Sequence, residues 1–150
     1  MDNLKTYRVV VDGVYYGKNR TFPALNDYIH ACGRHPQIGA KMKRDYQMIA
    51  ANAIRKQLGK CRITRQVDIH YSYFEADQKR DKDNINAFFA KVFADALQAA
   101  RVLRNDGWHE IRKYSQDYAV DSKRPRVEIT ITEVLRHAKQ DTEREHLPKR

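Results

Sequence analysis

Three aspartates frame one amphipathic segment of this chain. Asp81 and Asp83 stand one residue apart where the segment begins, and Asp106 lies in an Asn-Asp-Gly turn just past its end. Carboxylate oxygens without clustered cysteine or histidine suit Mg²⁺ or Mn²⁺ rather than zinc. A bound magnesium ion keeps several waters, and one of them can attack a phosphorus atom while the ion polarises a phosphoryl oxygen. The pattern therefore predicts a metal site for phosphate-ester chemistry, if the fold brings both ends of the segment together.

Asp83 also has a purely structural interpretation. A carboxylate at the start of a helix can accept the unpaired amide hydrogens of the first turn, so Asp83 is a natural N-cap. Spacing alone favours neither role. Asp81 is not needed for capping if Asp83 caps, and both side chains reach one metal only if the chain kinks there, as a strand-to-helix junction allows.

A lysine further along the segment could stabilise a transition state. Lys91 and Asp95 are spaced i, i+4, so they can form an ion pair on the flank of the helix, and Asn84 projects along the same side two turns earlier. Lys91 is placed to offset negative charge that develops on the reacting phosphate. Asp95 either holds Lys91 in position or is only a surface acid.

The charge balance indicates a polyanionic partner. Lys and Arg total 29 against 19 Asp and Glu, which gives a net charge of +10 and a pI near 9.7. Such a chain favours nucleic acid over an anionic membrane surface. The alternative is a basic surface that serves only solvation. The candidate DNA contacts are Lys79, Arg80 and Lys82 beside the aspartates, and Lys41, Lys43 and Arg44 in a basic region that also holds Lys18, Arg20 and Arg34.

Other classes of protein are disfavoured. No apolar run approaches the ~18–20 residues of a membrane span, and the polar start is not that of a signal peptide. Cys32 and Cys61 form no disulfide framework, so we expect a cytoplasmic protein. A zinc site from both cysteines with His35 and His70 would match no finger or ribbon spacing.

The elements that must position these residues follow from periodicity and turn residues. We expect a single domain over residues 1–135 and a charged, flexible tail over 136–150. The fold class is α+β, with two main helices on a small mixed, mostly antiparallel sheet. The expected strands are 4–16 with a break at Gly13, 61–75, 109–120 and 125–134; the helices are 41–58 and 84–101; and 17–40 is a long loop or a partly helical arm.

The helix that carries the aspartates has a single apolar face. Seven apolar residues recur at helical spacing and form one stripe that must pack against the sheet. They are Ile85, Phe88, Phe89, Val92, Phe93, Ala96 and Leu97.

This region resembles the RusA-type Holliday junction resolvases. The family has a D-x-D-N motif, a lysine and D-A-L on the following helix, then an acidic turn and a late strand. The matching residues here are Asp81-Lys-Asp83-Asn84, Lys91, Asp95-Ala96-Leu97, Leu103-Arg-Asn-Asp106 and Val127-Glu-Ile-Thr-Ile-Thr-Glu133. The resemblance covers about residues 77–133, and residues 24–28 and 39–43 are similar to phage-encoded members.

The resemblance implies a homodimeric, Mg²⁺-dependent endonuclease that makes paired nicks in four-way DNA junctions. Asp81, Asp83 and Asp106 would be its metal ligands and Lys91 its catalytic lysine. Lys91 fits when the chains are aligned from Asp95, whereas alignment from Asp83 puts Ala87 at the lysine position. The alternatives are a DNA-binding protein without catalysis and a related nuclease that acts on other branched DNA.

Overall fold

The computed structural model describes residues 3–12 and 21–135. The predicted tail and the predicted break at Gly13, with Lys18 and Arg20, lie outside these ranges. Three helices and four strands follow one another in the described part of the chain. They are β1 (Thr6–Asp12), α1 (Leu25–Arg34), α2 (Pro36–Leu58), β2 (Val67–Glu75), α3 (Lys82–Ala99), β3 (Ile111–Val120) and β4 (Arg126–Glu133).

The four strands form one mixed sheet in the order β1-β4-β2-β3. β4 pairs antiparallel with both β1 and β2, and β2 pairs parallel with β3. The predicted α+β class with a mostly antiparallel sheet is therefore confirmed. A parallel pair needs a crossover connection, which α3 supplies between β2 and β3. The start of α3 therefore lies near the end of β2, and its end near the start of β3.

The core lies between the helices and one face of the sheet. Along β2, buried residues alternate strictly with half-exposed ones, so the opposite face of the sheet is open to water. The whole predicted stripe of α3 is buried, with every member at most 4 % exposed. Phe89 and Phe93 pack edge-on against Tyr71 of β2, with ring centroids 5.8 and 6.0 Å apart. The apolar stripe therefore fixes how α3 sits on the sheet.

The region between β1 and α2 differs from a plain loop. Residues 25–34 form α1, which confirms the alternative of a partly helical arm. The described part of the chain therefore has three helices, where two main helices were expected. α2 begins at Pro36, five residues before the predicted start, because proline is favoured in the first turn of a helix. α1 and α2 pack closely at Gly39, where a Cβ atom would overlap Sγ of Cys32.

Two predicted strands begin later than expected. β2 begins at Val67 rather than at residue 61, and β3 begins at Ile111. The segment before β2 contributes buried Ile63 and Gln66 without joining the sheet. None of the described helices is long and apolar enough to cross a membrane.

Candidate active site

Asp81 and Asp83 lie where α3 begins. Asp81 is the N-cap residue with extended backbone angles, and α3 begins at Lys82, so the expectation that Asp83 caps the helix is wrong. Asp83 instead lies in the first turn, where a negative charge is favourable to the helix dipole. Both aspartates are exposed, and neither carboxylate forms a hydrogen bond or ion pair with any residue that the structure describes. Helix capping therefore accounts for neither carboxylate.

Arg80 fixes the segment that leads into α3. Its Nε and Nη2 donate to the two carboxylate oxygens of Glu75 at 2.8 and 2.9 Å, and its Nη1 donates to the carbonyl oxygen of Phe22 at 2.7 Å. Glu75, the last residue of β2, is 9 % exposed. This bidentate pair ties the chain just before Asp81 to the edge of the core. Because three of its five N–H donors are used inside the protein, Arg80 positions the segment before Asp81, and its contact with DNA stays a prediction.

Tyr118 of β3 contacts the first residue of α3, Lys82. Its hydroxyl donates to the carbonyl oxygen of Lys82 at 3.1 Å, and the Lys82 ammonium lies 5.4 Å from the centre of its ring. Burial first, and then the charge of Asp83, raise the pKa of Tyr118, so Asp83 is within electrostatic reach of this tyrosine. A cleft of about 390 Å³ opens here, lined by Asp77, Gln78, Arg80, Lys82, Tyr118 and Val120 among others.

Asp106 lies at the opposite end of α3. It is half-exposed, its amide donates to the side chain of Asn105 at 2.8 Å, and its charge adds to burial in raising the pKa of Tyr114. Tyr114 and Tyr118 are four residues apart on β3, about 13 Å, and the 18 residues of α3 span about 27 Å. In residues 3–12 and 21–135, no three His, Cys, Asp or Glu side chains are close enough together to hold a metal ion. A single chain therefore does not bring Asp106 to Asp81 and Asp83, and the three-aspartate site stays a prediction.

Lys91 forms the expected ion pair with Asp95, at 3.4 Å. The other oxygen of the same carboxylate lies 3.9 Å from Nζ of Lys43, which comes from α2. Asp95 therefore holds two lysines from different helices on one surface. Lys91 is eight residues beyond Asp83, about 12 Å along the helix axis. Asn84, predicted as a supporting residue, is half-buried next to Asp83.

The remaining predicted DNA contacts are distributed over two surfaces. Lys79 and Lys82 are exposed beside the cleft at the start of α3. Lys41 and Arg44 are exposed on α2, and Lys41 pairs with Asp45 of the same helix at 2.5 Å. Lys43 of α2 lies beside Lys91, since both approach Asp95, whereas Lys41, two residues earlier, projects from a different side of α2.

Sequence reasoning missed the part played by Glu75 and Tyr118. The signal for Glu75 was present, because a carboxylate at an inward-facing strand position needs a charged partner in the fold. Tyr118 gave no such signal, since tyrosine in a strand usually packs against its neighbours.

No protein-family model matches this chain, and no curated protein is similar enough to match it either. The resemblance to RusA-type resolvases therefore depends on the motif residues themselves.

Proposed function

We propose that this chain is a Mg²⁺-dependent endonuclease for branched DNA, similar in function to the RusA-type Holliday junction resolvases. The observation that carries this proposal is the pair of exposed carboxylates at the start of α3, which have no hydrogen-bond or ion-pair partner among the described residues and flank Lys82 in the wall of a cleft. In a chain of net charge +10, carboxylates that have no cationic partner within residues 3–12 and 21–135 are suited to bind a metal ion. Such an enzyme would act on chromosomal or phage DNA in the bacterial cytosol.

The donor set fits a hard divalent cation. Asp81 and Asp83 would hold Mg²⁺ through carboxylate oxygens, with Asp106 as the third ligand and Mn²⁺ as an alternative ion. The ion would supply charge neutralisation at the scissile phosphate and an acidified water. Lys79 and Lys82 would hold the phosphate backbone at the cleft, while Lys41, Lys43 and Arg44 would contact a more distant DNA arm. Lys91 would offset negative charge on the reacting phosphate.

A homodimer fits this function for two reasons. Two active sites related by a two-fold axis match the two-fold symmetry of a four-way junction and give paired nicks. A second copy can also bring its own Asp106 to Asp81 and Asp83, which one chain keeps at opposite ends of α3.

Mixing two inactive variants tests this shared site. If the third ligand comes from the partner copy, a heterodimer of Asp83→Asn and Asp106→Asn contains one intact site, and the mixture regains nicking. If each site belongs to one chain, both sites of the heterodimer are damaged and the mixture stays inactive.

A DNA-binding protein without catalysis is the second candidate. It is favoured by the finding that no three potential metal ligands gather within the described part of one chain. This alternative predicts DNA affinity that is unchanged by Asp81→Asn or Asp106→Asn and no magnesium-dependent product.

The deciding experiment is incubation with a synthetic four-way junction and with linear duplex, in Mg²⁺ or in EDTA. We expect symmetric nicks in the junction that need metal, that are lost in Asp83→Asn and that remain in Asp117→Asn. Asp117 is a matched control because it is an exposed aspartate on the open face of the sheet. Tight binding of the junction without any cut strand, in Mg²⁺ or Mn²⁺, would refute catalysis and leave the binding function.

A further inference from the structure

The turn between α3 and β3 presents a large aromatic ring to solvent. Trp108, the chain's single tryptophan, is 88 % exposed. Tryptophan is on average one of the more buried residue types, so a ring left almost entirely in water is unusual and is accessible for stacking on a ligand. Trp108 is therefore neither a core residue nor a wall of the cleft beside Asp83.

The backbone around Trp108 is held in place. Its carbonyl oxygen accepts a hydrogen bond from Nε2 of Gln66 at 2.9 Å, and Gln66 itself is 4 % exposed. The carbonyl oxygen of Gly107 accepts from the amides of Glu110 and Ile111 at 3.1 and 3.0 Å. Because this turn is fixed to the core, presenting the indole costs little ordering entropy when a ligand binds.

A polar cleft adjoins the same turn. It measures about 280 Å³ and is lined by Ile63, Thr64, Arg65, Arg104, His109 and Glu110. The lining contains two guanidinium groups and one carboxylate, so its net charge is positive even when the imidazole is neutral. The Arg104 side chain is 89 % exposed and lies 3.4 Å from Glu110, a contact weak enough to be exchanged for a phosphate.

We propose that Trp108 and this cleft form a second DNA-contact site that takes an unpaired base of branched or single-stranded DNA. The base stacks on the indole, and its phosphate faces Arg65 and Arg104. Aromatic stacking of this kind is independent of sequence, because every base has a π face. In linear duplex the bases already stack on one another, whereas a single strand and the opened centre of a four-way junction expose base faces, so the site discriminates these DNAs from duplex. The inference rests on the proposed DNA-binding function and deepens it.

Fluorescence of Trp108 reports on this site without labelling. The full chain is titrated with a four-way junction, a single-stranded oligonucleotide and a linear duplex, all in EDTA so that no strand is cut. We expect the emission to be quenched by the junction and by the single strand and to change little with duplex. Because Trp108 variants lack the fluorophore, their affinities are measured by gel mobility shift of the same DNAs. Trp108→Ala should weaken binding of the junction and the single strand roughly 5- to 150-fold and leave duplex affinity unchanged. Trp108→Phe should lose less affinity, because phenylalanine keeps an aromatic ring.

Ile29→Ala is the matched control, because Ile29 is an apolar side chain, 57 % exposed, on a different surface. It should bind all three DNAs as the unmodified chain does. Junction binding without quenching, or equal losses for duplex and junction in Trp108→Ala, would overturn this inference and leave the proposed function standing. A shift of emission with protein concentration alone would identify Trp108 as a contact between copies and also overturn it. Absence of binding to any DNA would overturn both proposals.

Discussion

Substitution of Arg80 by alanine removes the link between the end of β2 and the start of α3. The guanidinium makes two short bonds to Glu75 and one to the Phe22 carbonyl oxygen. Removing one partner of a fully buried ion pair costs about 3–5 kcal/mol. The side chains of Arg80 and Glu75 are 21 % and 11 % exposed, so water partly compensates the remaining carboxylate. We therefore expect a loss of about 2–3 kcal/mol, or about 10 °C in Tm for a chain of this size.

The assay is urea and thermal unfolding followed by circular dichroism, on Arg80→Ala, Glu75→Gln and the double variant. A double-mutant cycle isolates the pair, and we expect a coupling free energy of about 2 kcal/mol. Arg80→Lys should fall between the unmodified chain and Arg80→Ala, because an ammonium cannot reproduce the bidentate geometry.

The pair of Arg104 and Glu110, in which the arginine side chain is exposed, provides the comparison. Since the Arg104 side chain is 89 % exposed, Arg104→Ala should cost less than about 0.5 kcal/mol. If Arg80→Ala costs no more than Arg104→Ala, the pair does not anchor the segment before Asp81, and the structural reasoning fails. If Arg80 does position Asp81, the variant should also lose more nicking activity than DNA affinity.

Four further outcomes follow from contacts elsewhere. Tyr71→Phe should leave stability unchanged or raise it by about 1 kcal/mol in urea unfolding, because the buried Tyr71 hydroxyl has no hydrogen-bond partner among the described residues; a clear loss would contradict this. Gly39→Ala should cost about 1–3 kcal/mol, because its Cβ would overlap Cys32 Sγ, and Cys32→Ala should recover part of that loss in the double variant. Burial first, and then a neighbouring carboxylate, raise the pKa of Tyr7 to about 12. The folded state therefore holds this proton more tightly, and the resulting stability is complete below pH 10 and lost as the pH rises towards 12. Tm measured against pH should fall more steeply in this range for the unmodified chain than for Tyr7→Phe; parallel curves would refute the assignment. Lys91→Ala should leave Tm within about 2 °C, since the Lys91 side chain is 61 % exposed, and it should cut nicking sharply; normal turnover would remove Lys91 from the mechanism.

Periodicity predicted those elements whose faces differ clearly in polarity. The α3 stripe and the alternation in β2 and β4 were predictable because burial of one face selects apolar residues at the helical or strand spacing. α1 and the first turn of α2 were not, because Gly33, Pro36 and Gly39 interrupt the pattern. In the structure Pro36 starts a helix instead of preventing one, and Gly39 permits close packing of two helices. These roles depend on tertiary contacts that no local pattern contains.

For the candidate site as well, the sequence predicted where residues lie locally but not whether distant residues meet. Spacing placed Asp81 and Asp83 at one end of α3 and Asp106 just past the other, and the structure agrees with this local placement. Whether the two ends meet depends on the path of the chain, and a crossover helix between parallel strands keeps its ends apart by its own length. A metal site that uses all three aspartates therefore cannot be completed along α3 itself. In the proposed function a second copy of the chain would supply the third aspartate, so the proposed chemistry predicts a dimer whose symmetry would match that of the DNA.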